Sequence, residues 1–91
     1  MAKYNSLEDV RGKFYRMTSE AFGLEPNELN DTLKYIEDLK ADSLEMVEMT
    51  MKCEEEFDIQ ITDKDAERLR TLGETVNYIW NKINTTSQNP A

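Results

Sequence analysis

Ser43 stands in Leu39-Lys40-Ala41-Asp42-Ser43-Leu44-Glu45-Met46-Val47-Glu48-Met49, at the entrance of a strongly acidic amphipathic stretch. A serine hydroxyl can serve as a nucleophile, as a helix cap or as the anchor of a covalent modification. Nucleophilic catalysis needs a general base and donors for the oxyanion, whereas this chain has no histidine and the ionisable groups closest to Ser43 are carboxylates. Capping is a common use of serine at a helix start. The third use also suits the position. The first amides of a helix are unpaired and its dipole is positive there, so a phosphate is favoured by about 0.3–1 kcal/mol at an exposed site.

The other chemistry-bearing residues offer less. Cys53 is the single cysteine, so no internal disulfide or paired-cysteine zinc spacing can form. Its spacing with Met46, Thr50 and Phe57 reads as that of a small buried hydrophobe. Glu54-Glu55-Glu56, Asp58 and Asp63-Lys64-Asp65 gather carboxylates but lack the glycine and terminal glutamate of an EF-hand. That pattern implies at most loose cation binding and no specific metal site.

The elements that must position these residues are helical. Ser6-Leu7-Glu8-Asp9 reads as a helix start, with Val10, Phe14, Met17 and Ala21 recurring at helical spacing, so a first helix is expected over about 7–21. Gly23 offers a left-handed stop and Pro26 bars continuation. A long loop to about residue 41 follows, expected to be ordered because Leu24, Leu29, Leu33, Tyr35, Ile36 and Leu39 can anchor it. Asp42 is the expected cap of the second helix, with Glu45 completing a capping box and Ser43 in the first helical position. Two apolar stripes run along that helix. One holds Met46, Met49 or Thr50, Cys53 and Phe57, and the other holds Leu44, Val47 and Met51. Thr62 opens a short helix to about Leu69. Thr71-Leu72-Gly73-Glu74 caps the last one, whose inner face carries Leu72, Val76, Ile79 and Ile83.

These elements give an all-α fold: a small antiparallel four-helix bundle of three longer helices and one short one, with a long ordered loop between the first two. Residues 1–84 are expected to form one domain and 85–91 a flexible polar tail. With 91 residues, the domain can bury one modest core.

The chain carries 11 basic and 19 acidic residues, a net charge of -8. That excess argues against nucleic acid and anionic membranes as partners and favours basic protein surfaces. Between Glu37 and Asp58 nine acids face two lysines, so a net charge of -7 lies in one segment. The N-terminus lacks the apolar run of a secretory signal and no stretch is long enough to span a bilayer, so a cytoplasmic chain without membrane insertion is expected.

Asp38-Leu39-Lys40-Ala41-Asp42-Ser43-Leu44, followed by Val47-Glu48 and Glu54-Glu55-Glu56-Phe57-Asp58, resembles the acyl carrier protein family and its signature Asp-Leu-Gly-x-Asp-Ser-Leu. The likeness runs ungapped from about Val10 to Ile83, and Tyr35, Ile61, Ala66 and Tyr78 match family residue types. It implies that a phosphopantetheinyl transferase, with coenzyme A as donor, attaches 4'-phosphopantetheine to Ser43. The arm's thiol would then carry acyl groups as thioesters for fatty-acid, lipid or polyketide synthesis, and the protein itself would catalyse nothing.

The resemblance further implies that Glu37, Asp38, Asp42, Glu45, Glu48 and Glu55 meet basic patches on acyl-transferring and chain-elongating enzymes. Leu44, Val47 and Met51 would form the apolar centre of that surface. Phe14, Met46, Cys53, Phe57, Ile61 and Val76 would line the core and any acyl pocket of a monomer. Several residues depart from the family: Lys40 stands where glycine is usual, Lys52 lies within the acidic helix, Thr62 replaces a common proline and Cys53 a frequent leucine. They leave open a specialised aminoacyl or non-ribosomal-type carrier, or a non-carrier interaction module that uses the acidic helix.

Overall fold

The computed structural model describes residues 4–88, and its elements are four α-helices and a short 3-10 turn. Helix α1 spans Leu7–Phe22, α2 Ser43–Phe57, α3 Asp63–Arg68 and α4 Leu72–Gln88, with the 3-10 turn at Pro26–Glu28. Each start follows from a side-chain acceptor for an orphan amide. Ser6 Oγ accepts from Asp9 N–H at 3.1 Å, Thr62 Oγ1 from Asp65 N–H at 3.1 Å and Thr71 Oγ1 from Glu74 N–H at 3.2 Å. Thr62, in the place of a common proline, therefore supplies a cap of its own.

The helix ends are equally local in origin. Gly23 closes α1 in the left-handed region at φ 69°, and Asp58 closes α2 at φ 54°. Aspartate tolerates that conformation better than most residues. Glu54 braces the turn beyond it: its carbonyl accepts from Ile59 N–H at 3.2 Å and its carboxylate from Ile61 N–H at 2.8 Å. Helix α4 runs on to Gln88, so its backbone continues into the polar stretch assigned from sequence to the tail. Residues 89–91 of that stretch lie outside the described residues.

Helix α1 packs against α4 and α2. Val10 and Phe14 of α1 meet Met49, Cys53 and Phe57 of α2 and Leu72, Val76 and Ile79 of α4 in one buried cluster. Tyr4 extends it, its ring 4.9 Å from that of Phe57. The short α3 is tied to α4 by the Tyr78 hydroxyl, which donates to Asp65 at 2.7 Å.

The long loop is ordered because its backbone is paired. Leu72 N–H donates to Leu33 O at 3.1 Å, Tyr35 N–H to Arg70 O at 3.1 Å and Gly73 N–H to Asp31 O at 2.9 Å. Leu29 and Tyr35 bury their side chains, and the Tyr35 hydroxyl shares a hydrogen bond with Thr75. Arg11 clamps the loop to α1 through Asp31 at 2.9 Å, and Tyr15 donates to the same carboxylate. Ile36 alone among the six expected anchors points outward, 60% exposed.

The close backbone approach explains Gly73. A Cβ there would stand 2.7 Å from Asp31 Cβ and 3.0 Å from its carbonyl oxygen. Gly73→Ala is expected to destabilise the fold by roughly 1–3 kcal/mol, whereas Gly12→Ala, mid-helix with nothing within 4 Å of the added carbon, is expected to stabilise it by about 0.5–1 kcal/mol. Urea unfolding of both variants checks the pair. The hydrogen bonds from Arg11 and then Tyr15 hold the Asp31 carboxyl below its usual range. A depressed carboxyl contributes stability that is complete above the unfolded value, about 4, and is lost as pH falls through the lower folded value. Asp31→Asn should therefore be less stable than wild type at pH 7 and lose less of its stability on acidification below pH 4, as read by melting temperature against pH.

Candidate functional site

Ser43 owes its availability to Asp42. The Asp42 carboxylate accepts from Glu45 N–H at 2.8 Å, the Glu45 carboxylate accepts from Asp42 N–H at 3.0 Å, and Asp42 O accepts from Met46 N–H at 3.0 Å. This reciprocal box satisfies the helix start without using the serine. Ser43 is exposed, and its hydroxyl makes no hydrogen bond to a described residue. The N–H groups of Ser43 and Leu44 are left without a described acceptor, at the positive end of the α2 dipole. Free amides at a helix start are donors suited to an anion, so a phosphate group carried here would be compatible with the site.

The approach to the cap is strained at one residue. Lys40 has φ 58°, in the left-handed region. The turn is held on both sides: Leu39 N–H donates to Lys34 O at 3.1 Å, and Ala41 N–H donates to Tyr35 O at 2.9 Å with Ala41 buried. This is the position at which the resembling family carries glycine, and the dihedral supplies the reason.

The acids divide by what already holds them. Asp38 accepts from Lys34 N–H at 2.8 Å, Glu37 pairs with Lys34 Nζ at 3.4 Å, and Asp42 and Glu45 form the cap. Glu48 and Glu55 are exposed and make no hydrogen bond or ion pair to a described residue. Leu44, Val47 and Met51 are 64%, 54% and 57% exposed, the outer of the two stripes read from spacing. Ile36 joins them from the loop. No periodicity marks it; the available signal is that buried Tyr35 directly precedes it, so the next side chain faces the other way.

Between this patch and α3 lies an open cleft of about 900 Å³ whose apolar wall includes Ile36, Met46, Val47, Met51, Ile61 and Leu69. Behind it is a void of about 20 Å³ bordered by Phe14, Met46, Cys53 and Ile61. Four of the six expected pocket residues therefore border one or both spaces. Phe57 and Val76 border neither. Phe57 packs against Tyr4 at the C-terminal end of α2, and Val76 is sealed on the inner face of α4, so both are core alone. Burial pushes the Cys53 thiol up to about 12, with Glu54 adding to it, so it is unreactive as a thiolate. Among the described residues no group of three or more potential ligands gathers to hold a metal ion.

Residues 13–79 match the family model described as a phosphopantetheine attachment site, and the chain belongs to that family. It is 45% identical over 60 residues to the acyl carrier protein of Chlamydia felis, covering 66% of this chain and 77% of that one. It is 38% identical over 76 residues to that of Buchnera aphidicola subsp. Schizaphis graminum, covering 84% and 96%. Among solved structures, an acyl carrier protein from Enterococcus faecalis superposes with a TM-score of 0.75 at 35% identity, covering 86% of this chain and 99% of that one. The chain is an acyl carrier that bears 4'-phosphopantetheine.

Glycine at position 40 should relieve the left-handed strain. A non-glycine residue there costs about 1–2 kcal/mol, against roughly 0.5–1 kcal/mol of extra chain entropy lost by glycine. Lys40→Gly is therefore expected to raise the unfolding free energy by about 0.5–1 kcal/mol in urea titrations.

Proposed function

We propose that Ser43 is the attachment residue and that the carrier works in fatty-acid or related lipid synthesis, as a monomer in the cytoplasm. The observation that carries the assignment is the exposed hydroxyl left free by the Asp42–Glu45 box. The phosphodiester links the serine oxygen to the pantetheine arm, and the arm's terminal thiol supplies the thioester chemistry. The chain's own residues present the arm and shelter its cargo. The protein is a substrate of its transferase and of the enzymes that act on its cargo, and not itself a catalyst. No described helix is long and apolar enough to cross a membrane.

In this reading Leu44, Val47, Met51 and Ile36 make the apolar centre against which partners dock, and Glu48 and Glu55 supply free charge for basic patches. Glu45 adds charge from the cap. Glu37, Asp38 and Asp42 shape the loop and helix entrance and add to the long-range field. Such charge raises encounter rates more than it raises affinity. The apolar cleft beside the patch favours an aliphatic cargo, with Met46 and Met51 able to repack around guests of different shape.

Incubation with coenzyme A and a phosphopantetheinyl transferase tests the assignment by intact mass. Wild type is expected to gain one phosphopantetheinyl group and Ser43→Ala none; equal gain by both, or no gain by wild type, would refute it.

A further inference from the structure

Ser43 lies in a field that repels the group it receives. Asp38, Asp42, Glu45 and Glu48 all fall within five residues of it in sequence and make the helix entrance strongly negative. The helix dipole offsets part of that repulsion, because Ser43 lies in the first turn, where its effect is largest. Beyond the helix-start amides and water, a nearby cation would stabilise the phosphate further.

Few cations lie near Ser43 in sequence, and Arg70 reaches the cleft beside α2 from the α3–α4 connection. Lys34 lies nine residues before it and is paired with Glu37 at 3.4 Å. Lys52 lies nine residues after it, about 13 Å up the helix axis. Lys40 is three residues away, exposed, and without an ion pair to any described residue. Three residues span at most about 11 Å of chain, a gap that the lysine side chain and the serine-linked phosphate can close from both ends.

Lys40 also holds its place at a cost. Its left-handed φ of 58° is one that glycine would take without strain. Strained residues persist where the surroundings fix them, and they cluster at functional sites. The surroundings here are the Leu39 and Ala41 hydrogen bonds to the loop, which fix the backbone that carries the ammonium beside the cap.

We propose that Lys40 is a positioning residue for the arm, its ammonium pairing with the phosphodiester on Ser43. The ammonium substitutes for hydration of the phosphate amid the carboxylates and restricts the first bonds of the arm. It replaces a glycine's conformational ease with a contact that glycine cannot make. The inference rests on Ser43 as the attachment residue.

The test is NMR of the loaded chain, prepared with coenzyme A and a transferase and checked by intact mass. The variants are Lys40→Gln, which keeps the side-chain bulk without the charge, Lys40→Gly, and Lys40→Arg. The expected result is a 31P resonance displaced in Lys40→Gln and Lys40→Gly relative to wild type and restored in Lys40→Arg. Nuclear Overhauser contacts are also expected between the Lys40 ε-methylene and the phosphate-side methylene of the arm. In 1 M salt, where the screening length falls to about 3 Å, the wild-type resonance should move to the Lys40→Gln position. A 31P resonance indifferent to all three substitutions, with no such contacts, overturns the role of Lys40 and leaves Ser43 standing. A wild-type chain that gains no mass overturns the Ser43 assignment and this inference with it.

Discussion

The organising constraint of this protein is that the first turn of α2 must be capped by something other than the serine at its start. Orphan amides at a helix end need acceptors, and a serine in the first turn readily supplies one. Asp42 and Glu45 remove that demand by capping each other's backbone. The same arrangement fixes the position of Ser43 and leaves its oxygen free. With Ser43 as the proposed attachment residue, a carrier needs both, because the transferase must find the hydroxyl in one place and must not have to break a hydrogen bond to reach it.

The rest of the fold holds that entrance still. Ala41 is buried and its amide is bound to the Tyr35 carbonyl, and Tyr35 is in turn paired to the α3–α4 connection. The loop is thus stitched to the start of α4, where Gly73 permits the close approach. The inner stripe of α2 seats the helix on α1, leaving Leu44, Val47 and Met51 outward beside the cleft. An apolar face is costly to leave in water, and a chain of this size has few residues to cover it. In the proposed reading, a surface exposed for docking and an interior that admits cargo both draw on the same small core.

Much of this was legible from residue types and spacing. Caps at Ser6, Asp42, Thr62 and Thr71 locate all four helix starts, and the 3.6-residue period separates buried Met49, Cys53 and Phe57 from the exposed stripe. The loop was less readable, since it has no period. Its six apolar residues look equivalent in sequence, and pairing with the chain around residues 70–73 decides that Tyr35 goes in and Ile36 comes out. Pocket membership also escaped the pattern: Phe57 and Cys53 share a stripe, yet one helical turn separates a residue that borders the void from one that packs on Tyr4. Lys40 was visible as a departure from glycine, but its meaning required the dihedral. Helix α4 runs on to Gln88, into the polar stretch that the composition alone assigns to a tail.

The central claim, that Asp42 caps so that Ser43 need not, is tested most directly by the initial rate of phosphopantetheine transfer to Asp42→Asn and Asp42→Ala. Asparagine keeps the capping oxygen and loses the charge, whereas alanine loses both. The account predicts that Asp42→Asn is loaded at close to the wild-type rate and Asp42→Ala about fivefold more slowly, the rate equivalent of one lost cap. Equal slowing of both would show that the charge of Asp42, and not its cap, governs access to the serine, and would contradict it.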